Sequence, residues 1–158
     1  MVRIVDVERG PWLDAVREML LEYTASLDFD LAFQGFDREL VALPGDYAPP
    51  HGRLLIALDG DHPAGCVAFR ALDGDICEMK RLYVRPGWRG RGLGRALAEE
   101  IIVRARQAGY ARMRLDTVPA MRAAQGLYRA LGFTEIAAYY ENPVPGATFL
   151  ELALVRNA

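Results

Sequence analysis

The amino-acid sequence predicts an α/β domain with a mixed central sheet of about seven strands and about four helices. Short runs of branched apolar residues alternate along the chain with segments whose apolar residues recur at helical spacing. Two pairs of strands separated by turn residues predict antiparallel neighbours. A strand–helix–strand unit from Asp75 to Thr117 predicts one parallel pair. The chain of 158 residues has the size of one domain, so a single domain over 1–158 is expected.

The first half of the chain predicts one strand, two helices and a hairpin. Val2–Val7 alternates as a strand does, and Pro11 opens a helix whose apolar residues keep helical spacing. A short helix over 36–43 stops at a loop rich in proline and glycine. The run over 53–72 predicts two strands that form a hairpin around a turn at 59–63.

The second half alternates strands and helices before it closes with two strands. A strand over Asp75–Val84 is followed by a helix that ends at a glycine, by a strand over 111–118 and by a second helix that also ends at a glycine. Strands over 133–140 and 147–155 complete the sheet. Anions bind where the crossover helix of a parallel pair begins, so this edge is the expected place of a site.

Composition excludes several classes of protein. An apolar content of 52% and a charged content of 25% are globular values, and no apolar run reaches the roughly 20 residues that span a bilayer. The N-terminal segment lacks the apolar core of a signal peptide, which favours a cytoplasmic protein. Cys66 and Cys77 lack the spacing of a metal or redox motif and are expected to be buried thiols. His51 and His62 stand alone in turns, so no metal site is expected.

The net charge of −2 conceals a division along the chain. Residues 1–79 hold 15 acidic and 6 basic residues, whereas residues 80–158 hold 6 acidic and 13 basic residues. Cations are unfavourable near the N-terminus of a helix, and here they gather before one. The cluster therefore predicts an anionic partner at one place. Its members, within 16 positions, are Lys80, Arg81, Arg85, Arg89, Arg91 and Arg95.

The glycine-rich stretch RPGWRGRGLGRALAEE, residues 85–100, matches neither common nucleotide-binding loop. A P-loop requires Gly-Lys-Ser/Thr at its end, and a Rossmann fingerprint requires a third glycine that is absent here. What remains is R-x-x-G-x-G, carried by Arg89, Gly92 and Gly94. Glycines let backbone N–H groups approach phosphate oxygens at a helix start. A tight turn before a solvated basic helix start explains the motif equally well when it is taken alone.

The segment MKRLYVRPGWRGRGLGRALAEEI, followed about 35 residues later by LYRALGF, resembles the GNAT superfamily of acetyl-CoA-dependent N-acetyltransferases. The resemblance covers most of the chain and is strongest over 78–133. It implies a bacterial-type, cytoplasmic enzyme of GNAT-like fold that takes acetyl-CoA as co-substrate, uses no metal and transfers the acetyl group directly to a primary amine of a small molecule or peptide. It also leaves room for a homodimer.

The resemblance implies a cofactor site and two catalytic residues. The strand before the loop is expected to splay from its neighbour and to pair its backbone with the pantetheine arm at Leu82, Tyr83 and Val84. The loop expected to hold the pyrophosphate comprises Arg89, Gly90, Arg91, Gly92, Leu93, Gly94 and Arg95.

Tyr128 is expected to protonate the departing thiolate, with an ordinary place on the apolar helix face as the alternative. Glu78 is expected to be the general base, and an ion pair with a neighbouring arginine is its alternative. Asp116 and Thr117 are weaker candidates. Met121 stands where many relatives have an asparagine, which puts one cofactor contact in doubt.

The acceptor is less well specified by the sequence. Relatives build its pocket from segments that correspond here to 26–40 and 139–149. The first segment is acidic, which suits a cationic amine, although solvated helix-end charges explain it as well. Its acidic residues are Asp28, Asp30, Asp37 and Glu39. In the second segment, Tyr139, Tyr140 and Asn142 are expected to contact the acceptor or a dimer partner.

Two other functions stay open at this point. The chain could bind acyl-CoA as a sensor without catalysis, in which case changes at Tyr128 and Glu78 would leave acetyl-CoA affinity intact with no turnover to lose. It could also bind nucleic acid through its basic half, but the basic residues gather at one helix start without interleaved aromatic residues or a DNA-binding motif. No nucleic-acid or membrane partner is therefore expected.

Overall fold

A seven-stranded sheet organises the molecule. The structure, a computed structural model, describes residues 1–27 and 30–155. Within them the strands are β1 (Val2–Asp6), β2 (Arg53–Asp59), β3 (His62–Asp73), β4 (Ile76–Val84), β5 (Arg112–Thr117), β6 (Thr134–Ile136) and β7 (Thr148–Ala153). The α-helices are α1 (Pro11–Ser26), α2 (Phe36–Ala42), α3 (Leu93–Gln107) and α4 (Arg122–Ala130). The predicted fold class, with seven strands and four helices, is confirmed.

The sheet is mixed, as predicted. Its strand order is β1-β2-β3-β4-β5-β7-β6, and the β4–β5 pair is parallel while the other five pairs are antiparallel. The crossover from β4 to β5 is too long for a tight turn and is made by α3, as a parallel connection requires.

Each face of the sheet carries its own apolar core. On one face α3 and α4 pack over side chains such as Phe69, Leu97 and Met113, all fully buried. On the other face α1 and α2 cover a second cluster that includes Met19 and Ile56, which are also fully buried. Burial of a side chain of this size stabilises the fold by about 1.5–3 kcal/mol, so both layers of helices are held firmly to the sheet.

The parallel pair at the centre of the sheet ends early. β4 and β5 pair only over Ile76–Glu78 and Arg112–Arg114. Beyond these residues β4 follows β3 as far as Val84, while β5 follows β7 as far as Thr117. The two strands therefore diverge toward their C-terminal ends, as the resemblance implied, and leave an opening in the middle of the sheet.

A bulge in β4 stands at the start of this opening. The register with β3 shifts by one residue between Lys80 and Tyr83, and Arg81 takes a left-handed conformation with φ of 63°. Such a conformation is uncommon outside glycine. It is stabilised here because the buried Arg81 guanidinium donates two hydrogen bonds to the Glu39 carboxylate, at 2.8 and 2.9 Å, and lies 5.2 Å from the centre of the Phe36 ring.

The closing strands differ most from the prediction. The strand expected over 133–140 ends at Ile136, and the last strand covers Thr148–Ala153 rather than 147–155. Tyr139 and Tyr140 were expected at the end of a strand, yet both lie in the loop after β6. Successive side chains of a strand point to opposite faces, whereas the hydroxyls of Tyr139 and Tyr140 reach carboxylates on one side of the sheet.

The Arg81–Glu39 pair yields a stability prediction. We expect Glu39→Ala to lower the free energy of unfolding by about 3 kcal/mol, because it leaves a buried guanidinium without its carboxylate. Glu99→Ala is the matched control: it removes the partner of the exposed Arg95 at 2.8 Å and should cost less than about 1 kcal/mol. Urea denaturation followed by circular dichroism measures both, and equal losses would contradict the structural role of the buried pair.

Candidate active site

A cavity of about 660 Å³ fills the opening between β4 and β5. One wall is the diverging part of β4, and the other is the end of β5 with the first turns of α4. The end of α1 and the segment that follows it also line the cavity, through residues such as Tyr23, Leu31 and Gln34. Arg89 and Gly94 lie at the opposite end. The glycine-rich loop and the predicted catalytic helix thus border the same space.

The glycine-rich loop presents a row of free backbone donors. The six consecutive N–H groups of residues 90–95 find no hydrogen-bond acceptor in the described parts of the chain. Gly90 and Gly92 have φ values of 77° and 76°, a conformation that favours glycine. A Cβ at either position would meet no atom within 4 Å. Open space, free donors and the positive end of α3 together fit a multiply charged anion.

Half of the predicted basic cluster lies elsewhere. Arg85 is held by the Glu22 carboxylate at 2.7 Å and by the Pro63 carbonyl oxygen at 3.1 Å. Lys80 and Arg81 both donate to the side-chain oxygen of Gln34, at 3.1 and 2.8 Å. The expectation that all six cations serve one anion is therefore wrong for these three. Their sequence proximity is misleading because strand residues that are close in sequence point to different neighbours.

The other three cations stay at the loop. The Nε of Arg89 donates to the Val84 carbonyl oxygen at 3.0 Å, and its guanidinium lies 5.9 Å from the centre of the Tyr83 ring. Arg95 pairs with Glu99 on the exposed side of α3, and Arg91 is exposed in the loop. Leu93 is buried and contributes to this region only through its N–H group.

The edge of β4 that faces the opening carries unpaired backbone groups. The N–H of Arg85 donates to Ala64 on the β3 side, and the backbone groups of successive strand residues alternate between the two edges. The N–H groups of Val84 and Leu82 therefore face the opening, while the backbone of Tyr83 faces β3. Of the three residues predicted at this strand, Leu82 and Val84 have backbone groups available to a ligand, and the Tyr83 side chain lines the cavity.

Tyr128 lies where the cavity meets the apolar core. Its ring is 8% exposed and packs edge-on against Phe133 at 5.7 Å, while the residue also lines the cavity. Burial raises the pKa of its hydroxyl well above the ordinary value, and the nearby Tyr23 and Asp116 raise it further. Tyr128 therefore packs against the apolar core and also borders the cavity. Its phenol stays protonated at neutral pH.

Glu78 is buried in a network of its own. Its side chain is about 2% exposed; Oε1 accepts from Arg70 at 3.0 Å, and Oε2 accepts from the Tyr139 hydroxyl at 2.6 Å. The ammonium of Lys80 lies 3.7 Å from Oε1. Glu78 is not among the residues that line the cavity. Its role as a general base stays a prediction. The alternative, an ion pair with a neighbouring arginine, is present in the structure.

A second network borders the cavity near Gln34, Asp116 and Asn142. The Tyr140 hydroxyl donates to Asp116 Oδ2, and Asn142 donates to the same oxygen at 2.8 Å. Gln34 links this group to β4, because its amide nitrogen donates to Tyr140 at 3.2 Å while its oxygen accepts from Lys80. The sequence indicated Asp116 as a weaker site candidate and Tyr140 and Asn142 as contacts of the acceptor or of a dimer partner. It placed Lys80 only in the basic cluster and gave no signal for Gln34.

Thr117 and Met121 complete the wall near Tyr128. The Thr117 hydroxyl is buried and has no hydrogen-bond partner in the described residues, and an unpaired buried hydroxyl costs about 1–3 kcal/mol. A polar ligand atom in the cavity would remove that cost. Met121 also lines the cavity, where its thioether offers no hydrogen-bond donor.

The acidic residues expected to attract a cationic acceptor are engaged elsewhere. Asp30 accepts from the N–H of Ala32 and caps the turn after α1, and Glu39 pairs with Arg81. Asp37 lies exposed in the first turn of α2, and Asp28 lies outside the described residues. None of the three described acids lines the cavity, so the suggestion that this segment attracts a cationic acceptor stays a prediction.

The remaining reactive side chains give no alternative chemistry. Cys66 and Cys77 are free and fully buried, as predicted, and burial raises the pKa of each thiol to about 12. A thiol of this kind is inert as a nucleophile near neutral pH. In the described residues no three His, Cys, Asp or Glu side chains gather in a way that could hold a metal ion. No helix there has the length and apolar character to cross a bilayer.

The acetyltransferase (GNAT) family model matches residues 13–133 of the chain. The chain belongs to this family. It is 42% identical over 144 residues to an uncharacterized N-acetyltransferase of Schizosaccharomyces pombe, an alignment that covers 90% of this chain and 88% of the relative. Membership of this family and the identity to this relative confirm the prediction of an N-acetyltransferase. Enzymes of the family use acetyl-CoA.

Solved structures of the family share the whole fold. A Staphylococcus aureus GNAT acetyltransferase superposes with a TM-score of 0.82 at 19% identity and covers 98% of this chain and 100% of its own. A Salmonella typhimurium acetyltransferase, solved with its cofactor acetyl-CoA, superposes with a TM-score of 0.72 at 23% identity and covers 100% and 96% of the two chains. At these identities the likeness supports the fold, so site roles rest on the residues themselves.

Proposed function

We propose that the protein transfers an acetyl group from acetyl-CoA directly to the primary amine of a small molecule or peptide. The observation that carries the proposal is the row of six free N–H groups at residues 90–95, at one end of a cavity that reaches Tyr128. The single domain expected over 1–158 stays a prediction. A cytoplasmic location, a bacterial type and a homodimer stay predictions.

The donor has a matching set of main-chain groups. The loop over 90–95 would hold the pyrophosphate of coenzyme A through its N–H groups, with Arg89, Arg91 and Arg95 adding positive charge. The open edge of β4 would lie along the pantetheine arm and pair with its amides through the backbone groups that stay free, chiefly those of Leu82, because the Val84 carbonyl oxygen already accepts from Arg89 at 3.0 Å. Donor binding in this arrangement depends on backbone geometry more than on particular side chains.

The chemistry requires two reactants to meet in the opening of the sheet. The nitrogen of a neutral amine forms a bond to the thioester carbonyl carbon while the carbon–sulfur bond breaks. The N–H of Val84 would stabilise charge on the carbonyl oxygen. Tyr128 would give its proton to the departing sulfur, and the proton lost by the amine would restore the phenol. Holding both reactants in line supplies much of the rate.

Tyr128 suits the role of the acid in two respects. Its raised pKa keeps the phenol protonated, as a proton donor must be before the reaction. The same buried surroundings disfavour a free thiolate, and they therefore raise the proton affinity of the departing sulfur. The proton thus passes from the phenol to the sulfur while both groups are shielded from water.

The loop assignment yields the second prediction. We expect Gly92→Glu to abolish acetyl-CoA binding, because a carboxylate would enter the proposed phosphate site. Gly60→Glu is the matched control: Gly60 also has a positive φ, 60°, and open space at its Cβ, so it carries the same backbone strain away from the loop. Isothermal titration with acetyl-CoA measures both, and wild-type affinity in Gly92→Glu would overturn the loop assignment.

The third prediction concerns Tyr128. We expect Tyr128→Phe to lower kcat about 10²- to 10⁴-fold, as loss of a general acid does, and to leave acetyl-CoA affinity unchanged. Release of free thiol is followed over a panel of polyamines, amino acids, aminoglycosides and peptides. Turnover with none of them by the wild type, despite tight acetyl-CoA binding, would favour the non-catalytic sensor instead.

The fourth prediction separates two roles of Glu78. A base role predicts that Glu78→Gln lowers kcat/KM about 10²-fold or more in the folded protein. A structural role predicts a lower free energy of unfolding, because Arg70 and Lys80 lose their carboxylate, with kcat/KM preserved. Assays well below the variant's own melting temperature distinguish the two, and full turnover by the folded variant would contradict the base role.

A further inference from the structure

Two opposite charges face each other across the opening of the sheet. Glu78 of β4 pairs with Arg114 of β5 in the last row of the parallel ladder, and both side chains contact Tyr139, which places them on one face. Two residues further along each strand stand Lys80 and Asp116, on that same face by strand periodicity. Both line the cavity. In a continued sheet they would be neighbours, but the divergence of the strands separates them.

Each of these two groups has hydrogen-bonding capacity to spare. The Lys80 ammonium has three N–H bonds; one is directed to Gln34 at 3.1 Å, and the nearest carboxylate oxygen, of Glu78, is 3.7 Å away. Asp116 accepts two hydrogen bonds, both on Oδ2, from Tyr140 and Asn142. Its Oδ1 receives none from the side chains and backbone that the structure describes. The surrounding network thus orients both charges toward the cavity.

The other buried charges nearby are already matched. Arg70 neutralises Glu78 at 3.0 Å, and Glu39 neutralises Arg81 at 2.8 Å. Burial lowers the pKa of Lys80, against the influence of Glu78 and Asp116, so an additional anion beside it would stabilise its charged form. On the cavity wall, Lys80 keeps only a long contact of 3.7 Å with the already neutralised Glu78, and Asp116 forms no ion pair with the residues that the structure describes.

We propose that the acceptor is a small zwitterionic amine, an amino acid or a close analogue, with its amine at Asp116 and its carboxylate at Lys80. This inference rests on the proposed function. The ammonium of the acceptor would lose one proton to solvent before attack. The Oδ1 atom of Asp116 would then accept a hydrogen bond from the neutral amine and hold it in the cavity that Tyr128 also lines. Lys80 would bind the carboxylate of the amino acid in place of the water that solvates it in solution.

Matched acceptors test the charge requirement in the wild-type enzyme. Each amino acid of a panel is compared with its carboxamide and with the amine that remains after decarboxylation, by release of free thiol from acetyl-CoA. The carboxamide has a less basic amine and the decarboxylated compound a more basic one, so amine basicity alone cannot favour the amino acid over both. We expect kcat/KM for the best amino acid to exceed both analogues by about 10- to 100-fold.

Two variants then assign the residues. Lys80→Met should lower kcat/KM for the amino acid about 10- to 100-fold more than it lowers kcat/KM for the carboxamide, so that the preference disappears. Asp116→Asn should raise KM for the amino acid and its analogues alike. Arg3→Met is the control for loss of one cation, because Arg3 lies exposed on β1 at the edge of the sheet. Acetyl-CoA affinity, measured in parallel, reports whether each variant is folded.

The outcomes separate the two levels of proposal. Turnover of peptides or simple amines with no preference for a carboxylate would overturn the zwitterionic acceptor and leave the acetyltransferase function standing. A carboxylate preference that survives in Lys80→Met would overturn the assignment of Lys80. Acetyl-CoA binding without turnover of any acceptor would overturn the proposed function, and the acceptor inference would fall with it.

Discussion

The short pairing of β4 with β5 is the constraint on which the site depends. Three residues of each strand are paired, and the cavity and the main-chain groups proposed for the donor lie beyond that point. Had the ladder continued, Leu82 and Val84 would have used their backbone groups inside the sheet, and Lys80 and Asp116 would have formed an ion pair. The divergence of two strands thus creates a cavity, an edge of free backbone donors and two separated charges at once.

The divergence is held by contacts on both sides. At the bulge in β4, the Arg81 guanidinium is held by Glu39 of α2 and by Gln34 just before α2. On the other side the loop after β6 folds back over the sheet, and its two tyrosines pack on Phe149 with ring centres 5.1 and 5.4 Å away. Burial of an arginine is costly unless it is paired, so the pairing with Glu39 makes this conformation of β4 the stable one.

Features encoded locally were predictable from the sequence. The loop at residues 89–95 and the helix after it follow from glycines, arginines and apolar spacing within one short segment. The network around Gln34 was not predictable, because its partners lie 46 to 106 residues away. Tyr139 and Tyr140 misled the prediction for the opposite reason: as aromatic residues they favour strands, and only their tertiary contacts remove them from the sheet. The cluster of arginines in the sequence likewise did not indicate that the Arg85 side chain is bound by α1.

The alternation of β4 also has an evolutionary consequence. Its main chain faces the proposed donor, while the side chains of Glu78 and Lys80 lie on the face that meets α2 and the loop after β6. A substitution at Lys80 would change what the proposed acceptor site presents and would leave the peptide groups of Leu82 and Val84 in place. Selection for donor binding and selection for acceptor binding can therefore act on one strand almost independently. Such a strand permits new acceptors to be acquired by point mutation while the common acyl donor is kept.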